Sequence, residues 1–98
     1  MALTLCVLLW AQPGAKDALA AYEDQVLRLV PEHGGQVLQR ARSSGESGQP
    51  LEIQVLEFPA AEALEAYLAD DRRTALAGVR DRAIARTEVI NVELVAPG

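Results

Sequence analysis

Positions Ala2 to Trp10 carry one polar side chain, Thr4. The length of this run, and the Gln12-Pro13-Gly14 turn signal that closes it, predict a buried β-strand over about Ala2 to Trp10. Leu3, Leu5, Val7 and Leu9 fall on one face; Ala2, Thr4, Cys6, Leu8 and Trp10 fall on the other. A strand with one face in water would alternate with polar residues, so both faces of this one call for cover. A secretion signal would need a positive stretch before its apolar run. No Lys or Arg precedes Ala2, and Lys16 is the first basic residue. The run is also far short of the roughly 20 apolar residues of a membrane-spanning helix.

The apolar period then changes. Leu19, Tyr22, Val26, Leu29 and Val30 recur at steps of three and four, the stripe of a helix over roughly 15–30. Gly14 is a candidate N-cap, Asp17 suits the positive end of the helix dipole, and Pro31 with Gly34-Gly35 ends the element. A second strand is expected from about Gly35 to Arg42. The polar stretch Ser43 to Pro50 reads as a mobile hairpin tip, and a third strand as Leu51 to Phe58, stopped by Pro59. In that strand Ile53 and Val55 face one way, Leu56 and Phe58 the other. A second helical region spans roughly 60–83, with Leu64, Tyr67, Leu68, Leu76 and Val79 on its apolar side. Asp70-Asp71-Arg72-Arg73 is a point where it can divide into two shorter helices. A last strand is expected over about Thr87 to Val95.

The order β-α-β-β-α-β is the split βαβ, or ferredoxin-like, pattern of an α+β domain. It predicts a four-stranded antiparallel sheet with the helices on one face, formed by residues 1–98 as a single domain. Two helices cover only one face of such a sheet. The other would expose an apolar patch larger than the few hundred Å² that monomers usually tolerate. A two-fold homodimer packed sheet on sheet removes it, and that is the partner the pattern calls for.

Composition narrows the function classes. The chain has 98 residues, half of them hydrophobic, and a formal net charge of −5. No basic stripe is present, which argues against nucleic acid and against an anionic membrane surface as partners. Cys6 is the only cysteine, so no intrachain disulfide forms, and a cytoplasmic location is the expectation.

The chain resembles the dimeric α/β-barrel superfamily, in which two ferredoxin-like subunits pair their sheets, and within it the family of the domain of unknown function 1330. Tyr22, the stretch His33-Gly34-Gly35-Gln36-Val37-Leu38, the stretch Leu56-Glu57-Phe58-Pro59, Tyr67 and Arg80 carry the resemblance. Asp71-Arg72-Arg73 stands where that family usually has an aromatic near the break in the second helical region. The resemblance implies fold and dimer more strongly than activity, because related small barrels include cofactor-free monooxygenases, isomerases and proteins with no known chemistry.

His33 is the only histidine and the candidate general acid or base; the plainer reading is a residue placed by a helix C-terminus. Arg40 and Arg80 are candidates for an anionic substrate group, and Glu57 for an arginine partner or a base; each also reads as an ordinary charged surface residue. Tyr22 and Tyr67, with Trp10, are candidates to line a pocket for a flat ligand, or simply core. One histidine cannot make a multi-histidine metal site, and no glycine-rich phosphate loop is present, so no metal or cofactor is expected. Two functions follow. One is a homodimer binding or transforming a small aromatic or carboxylic molecule between sheet and helices. The alternative is a non-catalytic homodimeric interaction module.

Overall fold

The structure is a computed structural model that describes residues 2–98. Strand β1, Leu3–Ala11, pairs antiparallel with β3, Glu52–Phe58, and with β4, Ile84–Asn91; β2, Gln36–Arg42, pairs with β3. The resulting order is β2-β3-β1-β4. Helices α1 (Lys16–Leu27), α2 (Ala61–Leu68), α3 (Asp71–Thr74) and α4 (Ala77–Ala83) make the connections.

Leu5, Val7 and Leu9 of β1 and Leu56 and Phe58 of β3 are buried with Leu19, Tyr22 and Val26 of α1 and Tyr67 of α2 in one core. The helices therefore cover this sheet face. Cys6, Leu8, Trp10, Ile53 and Val55 point away from them and are only half-buried, and Ile90 beside them is 47% exposed. The two-sided apolarity of β1 thus becomes one core face and one open face.

Three elements differ from the sequence expectation. The first helix ends at Leu27 instead of Val30, because the chain tightens before Pro31: the N–H groups of Leu29 and Val30 donate three residues back, to Val26 and Leu27. A 3₁₀ turn, Pro31–His33, follows. The second helical region divides into three pieces, not two. Asp70 caps α3 by accepting from the Arg72 N–H at 2.9 Å, which starts a new helix axis. Strand β4 begins at Ile84, three residues before the expected Thr87, since Ile84 is drawn into the core. It ends at Asn91 because β1 has few residues left to pair: Val92 N–H still reaches Thr4 O at 3.0 Å, and Leu94 and Val95 stand exposed.

Two glycines fix the entry to β2. Gly34 has φ +79°, a left-handed conformation that suits glycine. Gly35 passes so close to β3 that a Cβ there would lie 2.8 Å from Val30 Cγ1 and 2.9 Å from the Glu57 carbonyl oxygen. The hairpin tip is tied down by Trp10 Nε1, which donates to Gly48 O at 2.8 Å, and by Ser43 Oγ, which donates to Pro50 O at 2.6 Å.

Candidate functional site

A cavity of about 110 Å³ lies between the helices and the sheet, with Leu5, Val7, Leu9 and Leu56 as its floor. Leu64, Tyr67 and Leu68 of α2 form one wall; Thr87 and Val89 of β4 form another. Leu68 and Val89 are 43% and 57% exposed, which places the mouth between α2 and β4. Into this apolar space project Glu23 of α1, Gln54 of β3, Arg73 of α3 and Arg80 of α4.

Helical periodicity brings Glu23 inside: it follows Leu19 by four residues and precedes Val26 by three, so it sits within the buried stripe of α1. Strand periodicity does the same for Gln54, which shares a face with Leu56 and Phe58. Gln54 Nε2 donates to Glu23 Oε1 and to Glu52 Oε2, both at 2.7 Å. Glu52, fully enclosed, accepts from Arg40 Nε (3.0 Å), Arg40 Nη2 (3.1 Å) and Arg42 Nε (2.8 Å). The exposed Asp24 closes the network outside, accepting from Arg40 Nη1 at 2.9 Å. Burial pushes the Glu23 carboxyl up from its ordinary value, and the nearby Glu52 charge adds to this against the Gln54 hydrogen bond. For Glu52 burial acts in the same upward direction, but the two arginines outweigh it and hold the carboxyl below the usual range.

The cations in the cavity are arranged differently. Arg80 Nη2 donates to Thr87 Oγ1 at 3.0 Å. The Arg73 guanidinium lies 5.2 Å from the centroid of the Tyr67 ring, and its Nε is buried with no hydrogen-bond partner. Among the described residues, neither arginine has a carboxylate oxygen within 4.0 Å. The Tyr22 hydroxyl is likewise buried and unpartnered. Burial raises the pKa of both Tyr22 and Tyr67, with Arg73 opposing it.

Of the residues the sequence singles out, Tyr67 and Arg80 line this cavity, and Tyr22 is buried in the adjoining core. His33 stands outside, at the edge of Tyr67 with ring centroids 6.3 Å apart. Its Nε2 is 2.9 Å from Asp70 Oδ2, an oxygen that also accepts from Arg72 Nη2 at 2.8 Å. Arg72 and His33 together hold the Asp70 carboxyl well below the usual range. Arg40 belongs to the outer ion network, and Glu57, opposite Gln36 and Thr4, lies on the open face of the sheet. The sequence reading passed over Glu23, Gln54 and Arg73. The first two were detectable as polar residues at apolar-period positions; Arg73 was hidden in a charge run. Among the described residues no group of three or more His, Cys, Asp or Glu side chains is placed to hold a metal ion, and no helix is long and apolar enough to cross a membrane.

Solved structures match this architecture along nearly the whole chain. A Pseudomonas aeruginosa protein superposes with a TM-score of 0.77 at 18% identity, over 97% of this chain and 95% of its own. A dimeric protein of unknown function and ferredoxin-like fold from Bacteroides fragilis gives 0.70 at 9% identity, over 95% and 96%. The fold is ferredoxin-like. A candidate antibiotic biosynthesis monooxygenase from Caulobacter crescentus shares it, with a TM-score of 0.76 at 16% identity over 97% and 91%. No family model and no curated protein matches the chain. The ferredoxin-like neighbours do not single out the family of the domain of unknown function 1330, and at these identities their likeness is one of fold.

Proposed function

We propose that the chain is one subunit of a homodimer joined through its open sheet faces, and that the cavity in each subunit binds and transforms a small aromatic or carboxylic molecule without a cofactor, as a monooxygenase or isomerase does. The observation that carries this reading is the pair Arg73 and Arg80, lining an apolar cavity with no carboxylate within 4.0 Å. A cation facing apolar walls is costly unless an anion joins it. The ligand that complements both is a small apolar body with one anionic group. An apolar cavity of about 150 Å³ admits benzene, so about 110 Å³ encloses a short chain outright and a single ring only with part of it in the mouth between α2 and β4.

Tyr67 and Arg80 touch the ligand in this reading, and the Tyr22 hydroxyl lies behind it. His33 holds the corner between α2 and α3 through Asp70, and so keeps Tyr67 and Arg73 in place. The dimer is supported by the half-buried apolar residues of the open face and by the dimeric Bacteroides fragilis neighbour.

Thermal unfolding with benzoate and short-chain carboxylates tests the site. At ten times Kd a ligand contributes about 1.4 kcal/mol, a rise in Tm of roughly 6–11 °C for a domain this size. Arg80→Ala should abolish the rise. No shift with any carboxylate or uncharged aromatic at saturation would contradict the reading and leave the interaction module, which rests on the open face alone.

A further inference from the structure

Glu23 is the one carboxylate lining the cavity, and ligand binding through the arginines gives it no task. Its surroundings are specific. One oxygen is occupied by Gln54 at 2.7 Å, and Gln54 is held in turn by Glu52. That leaves the second oxygen for the cavity. Arg73 and Arg80 line the same space, yet neither comes within 4.0 Å of Glu23. Opposite charges this close attract strongly in a site shielded from water, so something keeps them apart. The tethers are visible: Glu23 on Gln54, Arg80 on Thr87, Arg73 on the Tyr67 ring. The site thus sets a carboxyl group apart from two cations, with an apolar space between them.

We propose, on the reading that this cavity binds a small anionic molecule, that Glu23 is its proton-transfer residue and that the substrate is a carbon acid, a molecule with a C–H bond beside a carbonyl. The substrate C–H bond breaks and its proton forms an O–H bond on the free Glu23 oxygen. The electron pair becomes the C=C bond of an enolate, and the carbonyl pair moves onto oxygen as an oxyanion facing Arg73 and Arg80. Return of the proton to the enolate oxygen or to a conjugated carbon completes an isomerisation, with no oxidant, reductant or cofactor consumed. Only a group that gives a proton to one side and gains charge on the other uses both halves of the cavity.

The electrostatics agree. A base works best when its pKa lies near the working pH, and Glu23 is shifted toward that range by burial and by Glu52. The Gln54 hydrogen bond, and after it Arg73 and Arg40, act in the opposite direction, so the shift is moderated. Glu52 cannot take the role, because Arg40 and Arg42 enclose it away from the cavity.

The test is deuterium exchange at C3 of 2-oxobutanoate and pyruvate in D2O, followed by proton NMR with the full-length protein. Wild type should accelerate exchange by at least about 100-fold over buffer, the lower bound of typical acid–base contributions. Glu23→Gln should return exchange to the buffer rate while still binding the probe, and Glu23→Asp should retain part of the rate. Full exchange in Glu23→Gln would overturn the proposal. So would wild type that binds the probe without accelerating exchange, or that binds benzoate and neither 2-oxo acid. Wild type that binds no carboxylate at all removes the binding reading beneath it, a separate outcome read by thermal shift.

Discussion

Gln54 and Glu23, 31 residues apart in sequence, meet at 2.7 Å inside the cavity. This contact joins a carboxyl that burial makes less acidic to Glu52, a second one that two arginines make more acidic. The two affect stability at opposite ends of the pH scale. The contribution of Glu23 is complete below its ordinary value of 4.5 and is lost as pH rises through its higher folded value. That of Glu52 is complete above 4.5 and is lost as pH falls through its lower folded value. Glu23→Gln should therefore gain stability relative to wild type as pH rises from 4.5 toward neutrality, with little change in the acid limb. Calorimetric Tm values for both proteins across pH 3–8 check this; a constant difference at all pH would contradict it.

Arg40 supplies two of the bonds to Glu52. Its replacement by Met leaves a fully enclosed carboxylate with Arg42 and Gln54 alone. Breaking a buried ion pair from one side costs about 3–5 kcal/mol, and the remaining Arg42 places Arg40→Met near ~3 kcal/mol. Asp24, half exposed on the outer side where solvent screens its pair with Arg40, should cost clearly less as Asp24→Asn. Urea unfolding of both variants gives the comparison.

At the entry to β2 the adjacent glycines should respond differently. Gly34→Ala meets only the Pro59 ring, at 3.4 Å or more, and bears the strain of a positive φ, about 1 kcal/mol. Gly35→Ala would press on the Glu57 carbonyl, which the β2–β3 ladder holds in place, and should cost more, about 2–3 kcal/mol. Equal losses in urea unfolding would contradict the close packing.

The open face predicts association. The chain is 10.5 kDa, so light scattering should give twice that mass, persisting on dilution. Val55→Asp, at the centre of the face, should return it to the single-chain mass while leaving the carboxylate site intact. A single-chain mass for wild type would contradict the dimer.

Much of the fold was legible because its signals are local. The unbroken apolar run closed by Gln12-Pro13-Gly14 placed β1, the apolar steps of three and four placed α1, and Gly34-Gly35 marked the turn into β2. The division of the second helical region was visible at Asp70, but its third piece was not, since where α4 begins depends on what the helix packs against. The site was harder to read. Tyr67 and Arg80, singled out by the resemblance and by aromatic and basic character, line the cavity. His33 stands out as the only histidine, and the structure places it beside Asp70, outside the cavity. Glu23 and Gln54 look like exposed polar residues until their period is compared with Leu19, Val26, Leu56 and Phe58. Arg73 could not be read from the sequence: its neighbour Arg72 carries the same charge and is exposed, and only the turn at Asp70 decides which of the two faces inward.

The most direct measurement is the Nε–H resonance of each arginine in a nitrogen-15 correlation spectrum during titration with benzoate. The buried, unpartnered Arg73 Nε and the Arg80 guanidinium should shift together and saturably, while Arg40 and Arg42 stay in place. Saturable shifts confined to Arg40 and Arg42, or no saturable shift at Arg73 and Arg80, would contradict a ligand site in the cavity.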